Sequence, residues 1–319
     1  MAESLQNIKS RLRAVKNTGK ITKAMEVVAA TKMRKSQEAA FASRPYSLSA
    51  LELLRKISDN KIPFTDIREV KRTLVVLVSS DRGLAGSFNA QIARATDKLL
   101  LGDQYAKNQE HKFLFLAVGK KSESYIHKNK FELAEKFYGF GDFVEPDETI
   151  LLAEFIMRGF AENKYDRVLA VSTHFRTALT QDVVVRQILP LDVEKISETV
   201  REIVPESGRY SNLEAARSST PGVGGLQTPG VFPRATEYIM EPKPEEVLNT
   251  LVPHLIRMQV YHLVLEANAS EHSARRVAMK NASDNADEIS SELFIAYNKA
   301  RQSAITGEII EIISTQNAL

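Results

Sequence analysis

The last quarter of the chain reads as one helical run that is too long for a small domain to bury. After Pro244, the run to residue 319 contains one further proline, Pro253, and one glycine, Gly307. Helices in globular proteins average about 11 residues, whereas this run, at about 1.5 Å per residue, would measure on the order of 100 Å. Such a helix extends beyond its domain, and its apolar side needs a partner. Pro253 predicts a kink near its start.

The first stretch of the chain has the matching pattern. Apolar residues recur there every three or four positions, as in an amphipathic helix, and they are Leu5, Ile8, Leu12, Val15, Ile21, Met25, Val28, Ala29 and Met33. The stripe weakens at residues 18–20, and Pro45 predicts a local kink or break before the stripe continues to Ile57. We therefore expect the two terminal helices to meet as an antiparallel pair.

Small residues mark the expected contact face of the C-terminal helix. The candidates for inward positions are Ala274, Ala278, Ala282, Ala286, Ala296, Ala300 and Ala304. Small side chains allow two helix axes to come close, which predicts a thin shaft. The alternative is that these alanines only raise the helix propensity.

The N-terminal helix carries an excess of positive charge. Residues 1–35 contain nine lysines and arginines but only two acidic residues, Glu3 and Glu26. This pattern is typical of a solvated helix face, or it indicates a cationic surface for an acidic partner, either protein or nucleic acid. Nucleic acid is the weaker interpretation, because no aromatic residues stand among the basic ones to stack on bases.

The middle of the chain changes to the pattern of a buried sheet. Apolar runs rich in β-branched residues at 73–80, 112–119, 166–175 and 182–191 predict strands, and residues 131–137 predict a further one. Helical segments at 90–101, 120–129 and 146–163 alternate with them, and the last two strands can pair as a hairpin. The predicted fold class is α/β, with a Rossmann-like, mainly parallel sheet and a long antiparallel coiled coil of the terminal helices.

The order of these segments predicts four parts. Residues 1–58 and 244–319 form the two helices of the shaft, and residues 71–192 form an α/β foot domain. Residues 193–238 form an insertion rich in Gly, Pro and Ser, whose composition is typical of a loop or a partly disordered segment. We expect this insertion to be a tolerated surface loop rather than a regulatory element.

The composition limits the class of protein. The chain contains no cysteine, which excludes a disulfide framework and a thiol switch. No apolar run approaches the roughly 20 residues that cross a membrane, and the N-terminus lacks the apolar core of a signal peptide. We expect a soluble cytoplasmic chain that reaches a membrane only through its partners.

Sequence motifs for catalysis are missing. The glycine-rich segment GVGGLQTPG fits neither phosphate-binding fingerprint, and the six histidines show no metal-binding spacing. The turn DRGLAG follows the first predicted strand, where α/β domains bind ligands. Because no phosphate-gripping lysine follows it, a structural turn capped by Asp81 is favoured over a ligand site. We expect no catalytic residue, cofactor or metal.

Three segments show a resemblance in their actual residues and not only in their hydrophobic pattern. ITKAMEVVAATKM (residues 21–33), SSDRGLAGSFN (residues 79–89) and SARRVAMKNASDNADEISSELFIAYNKARQSAITGEIIEI (residues 273–312) closely resemble the gamma subunits of F-type ATP synthases. The order of the segments matches as well, and only the insertion falls outside the resemblance. The resemblance implies the central rotor shaft, whose paired helices lie in a ring of three alpha and three beta subunits. Its foot would hold the epsilon subunit and the membrane c ring.

The resemblance also implies a function and a location. Proton flow would turn the c ring and the shaft, and rotation would drive ATP synthesis or hydrolysis at alpha–beta sites. The chain itself would supply no catalytic side chain, bind no nucleic acid and insert into no membrane. It would be a peripheral protein on the cytoplasmic face of a bacterial plasma membrane.

Particular residues are assigned by the resemblance alone. The predicted beta-subunit contacts are Lys23, Met25, Arg301, Gln302, Thr306 and Glu308. The predicted apolar tip in a hydrophobic bearing comprises Ile305, Ile309, Ile310, Ile312 and Ile313. Tyr238 and Glu241 are predicted to lie near the c ring. The residues 314–317 depart from the small residues usual at the end of the family.

Two other classes of protein stay open at this point. One is a nucleotide-binding α/β protein that dimerises through its helices, which would need the missing phosphate loop. The other is a structural coiled-coil or nucleic-acid-binding protein. Nucleotide binding by the isolated chain would support the former, and salt-dependent DNA binding without affinity for an alpha–beta ring would support the latter.

Overall fold

The computed structural model describes residues 5–56, 64–102, 111–140, 143–177, 180–192, 241 and 243–316. The chain divides into two compact units. One unit combines Met1–Ala30 with Arg275–Leu319, and the other spans Thr31–Ala274. The predicted insertion 193–238 lies outside the described residues, and the four predicted part boundaries remain predictions.

The elements follow in the order that the sequence predicts. They are α1 (Leu5–Lys56), β1 (Arg72–Val78), α2 (Phe88–Gly102), β2 (Lys112–Val118), α3 (Lys120–Lys128), β3 (Leu133–Phe137), a 3-10 turn (Pro146–Thr149), α4 (Ile150–Ala161), β4 (Arg167–Phe175), β5 (Gln181–Leu189) and α5 (Pro244–Gln316). The terminal helices and the mixed sheet confirm the predicted α/β class.

The sheet has five strands in the order β3-β2-β1-β4-β5. β1 pairs in parallel with both β2 and β4, and β3 pairs in parallel with β2. β5 runs antiparallel to β4, so the predicted hairpin is confirmed. β1 lies at the centre and is buried at every residue except the first, because helices cover both of its faces.

Alternate residues of the central strands enter two hydrophobic cores. Val75, Leu77 and Val171 face one core, where Phe88 and Ile92 of α2 and Ile126 of α3 pack. Leu74, Val76 and Ala170 face the other core with α4 and with the apolar residues of α5 between Leu248 and Ala267. The first part of α5 therefore belongs to the α/β domain, and its burial fixes the helix on the sheet.

Two helices differ in part from the prediction: α1 shows no break at Pro45, and residues 146–163 do not form a single helix. α1 runs without a break through Pro45, since Ala50 and Leu54 beyond it are buried in the core and their burial outweighs one missing backbone hydrogen bond. The predicted helix at 146–163 divides into a 3-10 turn and α4, because Glu145 and Glu148 form a reciprocal capping box that tightens the first turn.

The unit formed by Met1–Ala30 and Arg275–Leu319 is a pair of antiparallel helices. Thr22 contacts Ser283, and Gly19 lies opposite Ala286, so the residue numbers rise on one helix as they fall on the other. In both contacts the two numbers add up to 305. The same rule places Ile8 opposite Tyr297 and Leu12 opposite Leu293, and all four of these residues are buried or half-buried.

The inward positions of this pair follow a heptad spacing, as in a coiled coil. On α5 they are Met279, Ser283, Ala286, Ser290, Leu293 and Tyr297, separated by four and three residues in turn. The prediction of an alanine seam is therefore wrong in part. Ala286 is buried, but Ala296 and Ala304 are exposed. Ser283 takes an inward position because Thr22 across the pair forms a hydrogen bond with its hydroxyl.

Candidate functional site

The edge of the sheet where α/β proteins bind ligands is closed in this domain. Asp81 follows β1, and its carboxylate accepts hydrogen bonds from the backbone amides of Lys120 and Gly139. Ser80 Oγ donates to the carbonyl of Arg82 at 2.7 Å, and Asn89 Nδ2 donates to Ser80 Oγ at 2.8 Å. These hydrogen bonds hold the turn in place and connect it to the segments at Lys120 and Gly139. They support the prediction of a structural turn capped by Asp81.

A small cavity remains beside this turn. It has a volume of about 10 Å³ and is lined by Val78, Asp81, Gly119 and residues of α5, including Val264 and Asn268. That volume holds about one water molecule. A nucleotide has no room there, because the helix covers the crevice at which a dinucleotide would enter.

The antiparallel helical pair offers a different kind of site. On the register described above, Leu5, the first described residue of α1, falls opposite Ala300. α5 continues to Gln316, which is about 24 Å further at 1.5 Å per residue. Within the described part of the chain, the stretch from Arg301 onward therefore extends past the end of its helical partner.

The predicted contact residues on α5 lie together on this extension. Arg301, Gln302, Thr306 and Glu308 are all exposed. Thr306 Oγ1 donates to the carbonyl of Gln302 at 2.9 Å, which turns this hydroxyl toward its own helix. The guanidinium of Arg301 presents a planar set of donors that suits a carboxylate.

The five predicted tip isoleucines are also on the extension. Ile305, Ile309, Ile310, Ile312 and Ile313 expose between 48% and 64% of their surface. A contiguous apolar surface of this kind marks a site of protein–protein contact. The tip is therefore suited to a partner whose lining is apolar.

The two predicted contact residues on α1 differ in exposure. Met25 is half-buried, whereas Lys23 is exposed and forms an ion pair with Glu26 at 2.8 Å. The hydrogen bond to Glu26 raises the pKa of Lys23, and the charges of Asp284 and Asp287 raise it further. Lys23 therefore stays cationic at all physiological pH values.

The residues predicted near a c ring are only partly described. Glu241 is exposed. Tyr238 lies outside the described residues. Their assignment remains a prediction.

The sequence pattern missed a second apolar surface on the pair. Ile21 and Val28 were expected to face the partner helix, but both are exposed, and so are Val27, Ile289, Phe294 and Ile295. Lys16 lies over the ring of Phe294, with its Nζ 5.9 Å from the ring centroid. The sequence did contain a signal for these exposed residues, because α1 has apolar residues on more than one side. A helix that packs against a single partner needs only one apolar side.

Two other classes of site, a metal site and a membrane-spanning helix, are missing from the described residues. Among them, no group of three or more histidine, aspartate or glutamate side chains could hold a metal ion. None of the described helices combines the length and the apolar composition that crossing a membrane requires.

These features define a class of protein: an α/β domain that carries a long pair of helices with exposed apolar and charged contact surfaces. A family model described as ATP synthase matches residues 4–319. The chain is 36% identical to the ATP synthase gamma chain of Opitutus terrae, covering 99% of this chain and 98% of that one. It is also 36% identical to the ATP synthase gamma chain of Dehalococcoides mccartyi, with 99% of each chain covered.

Solved structures share the fold. The central stalk and c-ring structure of Tetrahymena thermophila mitochondrial ATP synthase contains a chain that is 24% identical, with a TM-score of 0.54 over 82% of this chain and 99% of that chain. The rotor of Euglena gracilis mitochondrial ATP synthase contains one that is 18% identical, with a TM-score of 0.58 over 94% of this chain and 98% of that chain. The chain belongs to the ATP synthase gamma chain family.

Proposed function

We propose that the chain is the rotating central-stalk subunit of an F-type ATP synthase and couples proton flow through a membrane c ring to ATP synthesis or hydrolysis. Membership of the gamma chain family supports this function. The chain acts as a subunit of the complex. The chemistry takes place on alpha and beta subunits, and the chain contributes rotation without a catalytic side chain, metal or cofactor.

The observation that carries the proposal is the exposed end of α5, which extends past the described part of its helical partner. Five exposed isoleucines on neighbouring turns of one helix are unusual unless a partner protein covers them. A ring of subunits with an apolar lining fits this end, because apolar contact is non-directional and allows the shaft to turn. Directional bonds at the same place would hold the shaft at one angle.

Charged and polar side chains at the tip and before it provide the contacts that change with rotation. Arg301, Gln302, Thr306 and Glu308 are exposed on α5, and Lys23 is exposed on α1 with Met25 near it. In the assembled ring these residues contact loops of the beta subunits. An arginine pairs with a carboxylate through two parallel hydrogen bonds, which gives a strong contact that depends on orientation.

The remaining partners are proposed from the same resemblance. Three alpha and three beta subunits surround the helical pair, and the epsilon subunit and the c ring bind the α/β domain and its neighbouring segments, with Tyr238 and Glu241 near the c ring. The complex would place the chain on the cytoplasmic face of a bacterial plasma membrane. Residues 1–58 and 244–319 would act as the shaft, residues 71–192 as the foot and residues 193–238 as a surface insertion.

Reconstitution with alpha and beta subunits tests the proposal. The ring is fixed to a surface, a bead is attached to the α/β domain of the chain, and ATP is added. We expect unidirectional rotation in three equal steps. A chain that fails to enter an otherwise assembled ring would contradict the proposal.

A second measurement addresses the competing class. The closed crevice beside Asp81 predicts that the isolated chain does not bind ATP. Equilibrium titration with ATP followed by calorimetry measures this directly. Tight nucleotide binding by the isolated chain would favour an α/β nucleotide-binding protein instead.

A further inference from the structure

A buried polar cluster joins α5 to the sheet inside the α/β domain. It consists of Glu266 on α5, Arg186 on β5 and His174 on β4, which together are called the anchor cluster here. Arg186 Nη1 donates to Glu266 Oε2 at 2.7 Å, and His174 Nδ1 lies 3.1 Å from the same oxygen. The side chains are only 12%, 7% and 10% exposed for Arg186, Glu266 and His174.

Apolar side chains pack beside the cluster. Val260, Leu263, Val264 and Ala267 of α5 pack in the same core as Val168, Ala170, Ile188 and Leu189 of the sheet. Apolar contacts have no preferred direction, so they hold the helix only through the shape of the packed surfaces. The anchor cluster adds an ionic contact to this interface, and its hydrogen bonds are directional.

The carboxylate of Glu266 stays charged in this setting. Burial opposes ionisation, but the hydrogen bond with His174 and the charge of Arg186 outweigh it and hold the pKa of Glu266 below its usual value. The second oxygen, Oε1, is buried without a hydrogen-bond partner among the described residues. Both partners of the Glu266 carboxylate therefore contact Oε2, and the ion pair depends on where Arg186 lies relative to that oxygen.

Two further contacts extend the line of polar residues along α5. One turn before Glu266, His262 Nε2 lies 3.1 Å from Ser43 Oγ of α1. Beyond Glu266, Gln181 Nε2 of β5 donates to Ser273 Oγ at 3.1 Å. α1 at Ser43 and the edge strand β5 at Gln181 are thus each joined to a defined position along α5.

Stability alone does not account for the cluster. A buried ion pair gains little over well-packed apolar residues of similar volume, and replacing one is often neutral or stabilising. The best-attested role of buried polar groups is to fix the register of packed elements. In a rotor, a fixed register has a mechanical meaning, because torque that enters the α/β domain leaves it through α5.

We propose that Glu266, Arg186 and His174 fix α5 on the sheet against sliding and turning, so that the helix transmits torque without slip. The cluster is a set of positioning residues for coupling. This proposal rests on the proposed function of the chain as a rotor. It concerns how the α/β domain grips its own helix, and it involves no partner subunit.

The test compares two variants in the complex assembled in closed vesicles. Glu266→Leu with Arg186→Met replaces the ion pair by apolar side chains of similar length. Val264→Ala removes packing from the same core and leaves the ion pair intact. ATP hydrolysis and ATP-driven proton uptake are measured together, first without a proton gradient and then as the gradient rises, and thermal unfolding of each isolated chain is recorded.

The expected results separate slip from loss of stability. The double variant Glu266→Leu with Arg186→Met should unfold at the same temperature as the unchanged chain or higher. Without a proton gradient, it should hydrolyse ATP and pump protons at the normal rates. Under load, its final proton gradient falls to less than about half, because the helix slips when torque opposes it. Val264→Ala unfolds at a lower temperature but reaches the full gradient.

Two outcomes would overturn the proposal. One is that the double variant Glu266→Leu with Arg186→Met reaches the same final proton gradient as the unchanged chain. The other is an equal loss of gradient in Val264→Ala, since the effect would then follow stability. If the unchanged chain neither assembles nor pumps, the proposed function fails instead, and the two failures are therefore distinguishable.

Discussion

The hydroxyl groups of Thr22 and Ser283 form a hydrogen bond of 2.7 Å in the interior of the helical pair. Thr22 Oγ1 also donates to the carbonyl of Gly19 at 3.0 Å, so its single proton is already used. Ser283 is therefore the donor to Thr22. Both hydroxyls are buried, and the Ser283 hydroxyl uses an acceptor on the other helix.

This bond predicts unequal effects of single and double substitutions. Ser283→Ala removes a donor and leaves Thr22 with an acceptor unused, whereas Thr22→Val leaves the buried hydroxyl of Ser283 without this partner. We expect Thr22→Val to cost about 1–3 kcal/mol and the double variant Thr22→Val with Ser283→Ala to cost less. Urea unfolding of the isolated chain measures both. A double variant that is as unstable as the sum of the two single ones would contradict the assigned bond.

Gly19 and Gly307 give a matched pair of glycine substitutions. A Cβ at Gly19 would lie 3.3 Å from the Cβ of Ala286, whereas a Cβ at Gly307 meets nothing within 4 Å. Gly307→Ala should stabilise α5 by about 1 kcal/mol through helix propensity alone. Gly19→Leu should destabilise the pair, because the larger side chain forces the two helices apart. Thermal unfolding by circular dichroism compares them, and equal gains at both positions would exclude close packing at Gly19.

Arg301 is expected to matter for turnover in the assembled complex. Arg301→Ala should lower the rate of ATP hydrolysis about tenfold, which corresponds to the loss of one strong interfacial contact. Lys299→Ala is the matched control, since Lys299 is an exposed cation on the same helix. The steady-state rate of the reconstituted complex is the measurement. Equal rates for the two variants would refute the proposed beta-subunit contact.

His262 predicts a dependence of stability on pH. Burial lowers its pKa to about 4, so the folded chain keeps this imidazole neutral while the unfolded chain protonates it near pH 6.5. The stability that depends on neutral His262 is complete above pH 6.5 and is lost as the pH falls toward 4, by about 3 kcal/mol in total. His262→Gln should remove this loss.

The titration of Glu266 falls outside the pH interval in which His262 is measured. Its pKa lies below the usual value, so its contribution to stability is present above about pH 4.5 and is lost only at lower pH. Between pH 5 and pH 6.5, the difference between the unchanged chain and His262→Gln therefore reports on His262 and not on Glu266. The prediction for His262 fails if the unchanged chain and His262→Gln lose stability in parallel over that interval.

The tip isoleucines should govern retention in the ring. Ile309→Glu together with Ile312→Glu places two charges in an apolar lining, and we expect little of this variant to co-elute with alpha and beta subunits. Ile67→Glu is the control, because Ile67 is 89% exposed and lies in the α/β domain. Size-exclusion chromatography of the mixtures gives the result. Full retention of the tip variant would show that the lining is polar.

The strands and the helices of the α/β domain could be predicted from the sequence. Runs such as residues 73–78 have a composition that only a strand buried on both faces explains, and the structure places β1 at the centre of the sheet. The antiparallel meeting of the terminal helices followed from their length and apolar stripes. These features depend on local pattern, which a sequence contains in full.

The inward faces of the helical pair were harder to predict. Ile21 and Val28 are apolar and lie outside, whereas Thr22 and Ser283 are polar and lie inside. A hydroxyl can be buried only when its partner is known, and that partner is 261 residues away. The anchor cluster was missed for the same reason, since His174, Arg186 and Glu266 become neighbours only when the sheet and α5 pack.

The exposed end of α5 also has a consequence for how cells make this chain. Before assembly, five isoleucines on one helix end are open to water, and two free copies can bury them against each other. Newly synthesised chains that outnumber their ring would therefore clump and attract chaperones or proteases. Synthesis of the chain in balance with its proposed partners would keep this end covered, so the relative amounts of the subunits would determine how much of the chain stays in solution.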